Sequence, residues 1–312
     1  MKQVIKVSVV NFHPRWGDKA MNLQKIGDYI ELAAAAGTNL IVFPEMALTG
    51  YDDVPETPKA EKMQIKLAET IPGPSTLTIA ELTRRYNMYA VFGMPERDPE
   101  RPETVYNAVA ILGPEGVIKS YRKMHCFGDE NRWATKGAYP EVFDTPWGPI
   151  GVSICYDTFN YPELLRYARA KGARLHVSCT ANSSAASKYP LIRTELEGQV
   201  LQNWYFIASA NLCGTDLHDY FFGGSSIIGP SIEGNGPTYY AGHPYYSKEG
   251  QEVAIYTAAI DLSYADEGAL PIFKQNENVG VPDYTPEVYM KMNQEILHQT
   301  RWQDMLAPES QK

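Results

Sequence analysis

The sequence predicts an α/β fold of layered mixed sheets and helices. Three observations carry this. Helix-like and strand-like stretches alternate through both halves of the chain, several strands read as continuous apolar runs, and one strand pair is joined by a tight turn. Strands reached through helices are covered on both faces, which removes the apolar–polar alternation of a half-exposed strand.

The first run, IKVSVVNF (5–12), is rich in β-branched residues and reads as a strand. Asp18 to Ala36 reads as a helix closed by Gly37, with Met21, Ile26, Ile30 and Ala33 near helical spacing. NLIVFPE (39–45) is then apolar up to its carboxylate and completes a β-α-β opening. A helix before Ile71, a turn at Pro72-Gly73-Pro74 and a helix from Ser75 to Tyr86 lead to the buried strand MYAVFGM (88–94). YNAVAILG and VIKSYRKM flank Pro114-Glu115-Gly116, a hairpin composition that makes the sheet mixed. Residues 126–146 are polar and aromatic, with Gly128, Gly137 and Pro140, and read mainly as a long loop of the kind that often carries function.

The second half repeats the rhythm: strand 149–155, helix 162–171 ended by Gly172, strand 174–180, helix 191–204 and strand FIASANL (206–212). SSIIGP and EVAIYTAAID supply later strands. Beyond Leu262 the chain passes Pro271, Pro282 and Pro286 before a helix in PEVYMKMNQEILHQTRW. Neither a low-complexity linker nor a fixed short repeat interrupts it. A single domain over 1–312 is therefore expected, with its core at about 5–262 and a C-terminal tail, 263–312, suited to packing on the domain or at a subunit interface.

A length of 312 residues with 44% hydrophobic content is ample for a sizeable core. The net charge is −9 and the 28 Lys and Arg residues are scattered among 37 acidic ones, so no basic face tracks a phosphate backbone and nucleic acid is not an expected partner. No apolar run approaches the roughly 20 residues of a membrane helix, and the start, MKQVIKVSVVNFHPRWGD, has too short an apolar stretch for a signal peptide. A cytoplasmic protein without a membrane partner is expected. Asn182-Ser183-Ser184 matches a glycosylation acceptor, which carries little weight without a secretory signal. Cysteines at 126, 155, 179 and 213 include no CxxC pair and suit neither a zinc cluster nor a disulfide framework, so each is judged singly.

In VSICYD, Ile150, Val152 and Ile154 share one strand face while Gly151, Ser153 and Cys155 share the other. The chain then turns through residues 156–161 before Pro162 opens a helix, which predicts a thiol exposed at the sheet edge near backbone N–H groups able to face an oxyanion. Packing is the commoner fate of a cysteine, and Cys179, aligned with Leu175 and Val177, fits it. Cys213 is ambiguous, and Cys126 lacks an obvious helper although Lys123 and His125 are close in sequence. A nucleophilic thiol needs a proton acceptor, because its ordinary pKa of about 8.5 leaves it protonated at neutral pH. Glu45 ends one apolar run and Lys123 another, in YRKMH; each alone is equally compatible with a solvated surface residue.

Taken in order, FPEMALTGY, YRKMH and ICYD resemble the motifs of the carbon-nitrogen hydrolase family, also called the nitrilase superfamily, over most of residues 5–262. The resemblance implies a four-layer α-β-β-α sandwich and a homodimer or higher homo-oligomer whose inner layers continue across the interface. It implies Glu45 as general base, Lys123 as stabiliser of the tetrahedral intermediate and Cys155 as nucleophile. In many members a second glutamate follows the lysine by seven residues; here that is Glu130, with Asp129 beside it, which implies a supporting role in orienting substrate or lysine. The implied reaction is a two-step acyl transfer through a thioester, its oxyanion held by Lys123 and the Tyr156 N–H, converting an amide to an acid and ammonia or an amine. No metal or organic cofactor is implied, in keeping with a sequence that lacks ligand clusters and glycine fingerprints.

Family members acting on carbamoyl compounds or carboxylate-bearing amides often show CYD-x-RFPE. This chain reads CYDTFNYPE, with Phe159 in the place of the arginine and one residue inserted. The ending NYPE is similar to the aliphatic amidase branch, and Tyr156-Asp157 replaces the Trp-Glu that follows a typical nitrilase cysteine. The leading expectation is hydrolysis of a small linear amide. N-carbamoyl hydrolysis, nitrile hydrolysis and a non-catalytic scaffold on the same fold are the alternatives. Tyr51, Trp133, Tyr156, Phe159 and Tyr161, with Asn182, are expected to line a mostly apolar substrate pocket, against rim packing in a chain that carries 21 tyrosines.

Overall fold

The computed structural model describes residues 1–183, 191–231, 233, 236–267 and 285–299. Its first half runs β1 (Val4–Asn11), α1 (Lys19–Ala35), β2 (Leu40–Val42), α2 (Met63–Leu67), α3 (Pro74–Tyr86), β3 (Tyr89–Arg97), β4 (Val105–Gly113) and β5 (Gly116–Arg122). The second runs β6 (Glu141–Phe143), β7 (Ile150–Ile154), α4 (Tyr156–Asn160), α5 (Pro162–Ala170), β8 (Leu175–Thr180), α6 (Leu191–Asn203) and β9 (Phe206–Asn211). β10 (Cys213–Thr215), β11 (Tyr220–Phe222), β12 (Ser226–Pro230), β13 (Pro237–Gly242), β14 (Ala254–Asp261) and α7 (Ser263–Glu267) follow. The chain divides into two units, Met1–Gly268 and Ala269–Lys312. In the second, the described element is α8 (Pro286–His298).

Two six-stranded mixed sheets form the centre, in the orders β14-β1-β2-β3-β4-β5 and β13-β12-β9-β8-β7-β6. Each has a parallel middle, β1-β2-β3 in one and β7-β8-β9 in the other, flanked by antiparallel strands. The period-two alternation of side chains explains the continuous apolar runs. Val7, Val9, Leu40, Val42 and Val91 join one core with Val152, Val177 and Phe206 of the other sheet. Their neighbours Val10, Ile41, Phe43, Ala90 and Phe92 pack instead with Ile26 and Ile30 of α1 and Ile79 of α3. On the far side, Leu165 of α5 and Leu196 and Val200 of α6 cover the second sheet. The result is the four-layer α-β-β-α sandwich.

Several local expectations are corrected. Met21 is exposed, and the buried stripe of α1 is Asn22, Ile26, Ile30 and Ala33. A polar residue displaces it because the Asn22 side chain donates to the Arg15 and Leu48 carbonyls and accepts from the Arg15 N–H, tying two loops to the helix. Residues 156–161 contain the short helix α4 rather than a simple turn, and the 126–146 loop contains a 3₁₀ turn, Gly128–Arg132, and strand β6. β10, β11 and β13 carried no sequence signal, because β10 and β11 are three residues each and β13 is half-buried throughout. The expected last helix is α8 as far as His298; residues 300–302, most of the expected tail and Ser184 of the glycosylation match lie outside the described residues. Among the described residues no helix is long and apolar enough to cross a membrane.

Candidate active site

The ends of β2, β5 and β7 converge. β2 stops at Val42 and the chain bends sharply, with Met46 at φ +51°. The bend rests on β3 at Gly93, whose N–H donates to the Pro44 carbonyl (3.0 Å) and whose carbonyl accepts from the Leu48 N–H (3.1 Å). Glu45 is thereby turned into the interior and wholly buried. Its Oε1 accepts from Asn107 Nδ2 and Lys123 Nζ, both at 2.7 Å, while its Oε2 has no partner among the described residues.

Lys123 follows the last residue of β5 and is equally buried. Its N–H donates to the Asn107 carbonyl (2.8 Å) and its carbonyl accepts from the Gly137 N–H (2.7 Å), so the backbone is fixed on both sides. Nζ donates to Glu45 Oε1 at 2.7 Å and to Glu130 Oε1 at 2.6 Å. An ammonium has three N–H donors, so one remains for a ligand. Glu130, in the 3₁₀ turn, also accepts from Tyr51 Oη at 2.7 Å and from the Phe127 N–H at 3.1 Å.

Cys155 sits immediately beyond β7 with φ +45° and ψ −104°, a strained conformation for a residue bearing a side chain. The alternation inferred from sequence ends at Ile154, because the backbone leaves the strand there. Cys155 is mostly buried rather than exposed at the sheet edge, and it packs in the core that contains Ile154 and Cys179. Its Sγ lies 3.8 Å from Asn182 Oδ1. Behind the turn, His176, Ser153, Thr158 and Ser178 form, in that order, a buried hydrogen-bonded chain with links of 2.7, 2.7 and 2.8 Å.

Two carboxylates share one ammonium in this dry cluster. Burial, opposed by the Lys123 charge and reinforced by that of Glu130, pushes the Glu45 carboxyl up to about 7. Burial disfavours the Lys123 charge, but Glu130 and Glu45 outweigh it and hold the ammonium well above the usual lysine range. Burial and the neighbouring Glu45 push the Cys155 thiol up, so it rests as a neutral thiol.

A cavity of about 650 Å³ opens over these groups, within the range of small-molecule sites. Of the residues expected to line a pocket, Tyr51, Trp133, Tyr156, Phe159 and Asn182 line it, together with Glu130 and Cys155. Glu45 and Lys123 are not among the described lining residues; they join the cavity through Glu130, which lines it and accepts from Lys123, itself bonded to Glu45. Tyr161 does not line it; its ring stacks on His125 at 3.4 Å. Residues missed from sequence include Asn107, whose signal was a lone amide in the apolar run of β4, and Asp157, the carboxylate two positions after the cysteine. His218 and Asp219, from the tip between β10 and β11, also line the cavity and carried no signal.

A model of the carbon-nitrogen hydrolase family matches residues 6–267. A probable nitrilase of Schizosaccharomyces pombe is 29% identical over 92% of this chain and 97% of its own length. An omega-amidase of Danio rerio is 28% identical over 83% of this chain and 90% of its own. Among solved structures, a variant of the amidase from Nesterenkonia sp. AN1, carrying the acetamide moiety of fluoroacetamide on its active-site cysteine, superposes with a TM-score of 0.71 at 22% identity, covering 92% of this chain and 96% of its own. The fold, the matched span and these relatives agree: the chain belongs to the carbon-nitrogen hydrolase family.

Proposed function

We propose that the site hydrolyses small uncharged linear amides through a thioester on Cys155. The observation that carries this is Cys155 in the cavity wall, within electrostatic reach of a buried Glu45–Lys123–Glu130 cluster that keeps, among the described residues, one free ammonium N–H and one unpartnered carboxylate oxygen. Glu45 Oε2 takes the thiol proton as Sγ attacks the carbonyl carbon, and the carbonyl electron pair moves to oxygen. That oxyanion is met by the third Lys123 N–H and by the Tyr156 N–H. Collapse breaks the C–N bond, and the nitrogen leaves with the proton held by Glu45. Water, deprotonated by Glu45, then attacks the thioester; the acid departs and the thiol is reprotonated.

Substrate charge follows from the lining. Among the described residues that line the cavity there is no Lys or Arg, while Glu195 and Asp219 are present and Phe159 occupies the place of the arginine in the carbamoyl-type motif. Among these described residues a substrate carboxylate would be desolvated without a cation to pair with. Solved relatives hold acrylamide and butyramide, both uncharged. The test compares kcat/KM for butyramide and for succinamate, which adds a terminal carboxylate. Butyramide should be preferred by on the order of tenfold or more; preference for succinamate would overturn the reading. Carbon dioxide released with ammonia from an N-carbamoyl compound, in preference to butyramide, would mark the carbamoyl activity instead.

A further inference from the structure

Two aspartates outside the catalytic cluster hold each other's loops. Asp216, at the tip between β10 and β11, accepts on Oδ2 from the N–H groups of Tyr51 (2.6 Å) and Asp52 (2.9 Å). Asp52 in return accepts on Oδ2 from the N–H groups of Leu217 (2.9 Å), His218 (2.6 Å) and Asp219 (2.9 Å). Each carboxylate thus satisfies backbone donors on the loop that carries the other. Gly50 has φ +87°, and a Cβ there would stand 2.8 Å from Asp216 Oδ1, so the two loops meet with no space between them. Trp16 Nε1 and Gln64 Nε2 fix the Asp52 carbonyl at 2.9 and 3.0 Å.

What this junction holds is Tyr51. The Tyr51 ring stands edge-on to the buried Phe221 of β11, with centroids 5.9 Å apart, and its hydroxyl donates to the Glu130 oxygen that also accepts from Lys123. The same hairpin reaches the other side of the site, where the Phe222 N–H donates to the Asn182 carbonyl (3.4 Å). We infer that Asp52 and Asp216 form a reciprocal clamp whose role is to position Tyr51 against Glu130, making the β10–β11 tip a positioning element of the active site. The inference rests on the amidase reading above. Burial, partly offset by the two N–H donors, already pushes the Asp216 carboxyl up to about 6, so a neutral isostere that keeps the accepting oxygen preserves the clamp.

The test is steady-state amide hydrolysis by Asp216→Ala, Asp216→Asn, Tyr51→Phe and the double variant Tyr51→Phe/Asp216→Ala, with melting temperatures alongside. Displacing Tyr51 should lower kcat on the order of tenfold in Asp216→Ala, and Asp216→Asn should recover most of the loss. Because the clamp acts through Tyr51, the double variant should fall within about twofold of Tyr51→Phe alone. A full second loss in the double variant, or wild-type kcat in Asp216→Ala, would overturn the clamp. Should Asp216→Ala not fold, Asp52→Ala replaces it, with the same coupling to Tyr51→Phe expected and an additive loss, or wild-type kcat, again contradicting it. Turnover that survives Cys155→Ala would refute the amidase reading, whereas additivity in a Cys155-dependent enzyme would refute the clamp alone.

Discussion

Asp157 Oδ1 accepts from both the backbone N–H (3.0 Å) and the ring Nδ1 (2.7 Å) of His125, so the residue two positions after the cysteine grips the residue two positions after the lysine. Its other oxygen accepts from Tyr121 Oη (2.6 Å) and the Met124 N–H (3.1 Å). Strand end β5 and the Cys155 turn are therefore one rigid piece, although they come from different sheets. Asp157→Asn retains one accepting oxygen and must abandon part of this set. Its kcat/KM should fall by ten- to a hundredfold, on the order expected for a displacement of about 1 Å, with stability reduced by about 1–3 kcal/mol for the buried donors left unpaired. Kinetics and thermal melting of the purified variant check both.

Glu45 depends on a glycine in the neighbouring strand. A Cβ at Gly93 would lie 2.3 Å from Met46 N and 2.6 Å from Glu45 Cα, and backbone atoms cannot yield as a flexible side chain would. Gly93→Ala should displace the Glu45 bend, lowering kcat/KM by about a hundredfold and stability by roughly 1–3 kcal/mol. Steady-state kinetics beside chemical denaturation would reveal it. Wild-type activity in this variant would show that the bend has slack its contacts do not suggest.

The pH dependence follows from the charge count in the cluster. Glu45 must be ionised to accept the thiol proton, and burial pushes its carboxyl up to about 7, with the Glu130 charge adding to the shift. kcat/KM should therefore be flat above this value and fall about tenfold per pH unit below it. Glu130→Gln removes the charge that adds to the rise caused by burial, so the acid limb of the residual activity should move to lower pH. A pH–rate profile from about 5 to 9, which brackets the Glu45 carboxyl, measures the acid limb in the wild type and the variant. An acid limb unmoved by Glu130→Gln would show that another group controls it.

Much of this was legible from sequence because it rests on local patterns. Continuous apolar strands announced sheets covered on both faces, and Val9 and Val10 do point into different cores. The cluster was legible for the same reason: Glu45, Lys123 and Cys155 each close a strand-like run, and in an open α/β sheet strand ends are where ligands bind. What stayed hidden depends on backbone geometry or on distant chain meeting chain. Period-two reasoning cannot foresee φ +45° at Cys155, which takes the thiol off its strand face. Met21 yielded to Asn22 because two loops needed its amide. The Asp52–Asp216 junction joins residues far apart in sequence through backbone N–H groups, which leave no residue pattern to read.

The identity of the nucleophile is tested most directly by mass spectrometry of the intact protein, acid-quenched during turnover of butyramide, followed by peptide mapping. The expected result is a mass increase equal to the butyryl group, localised to Cys155, with both the adduct and ammonia release absent in Cys155→Ala. Ammonia release that persists in Cys155→Ala, or an acyl group mapped to Cys126, Cys179 or Cys213, would contradict it.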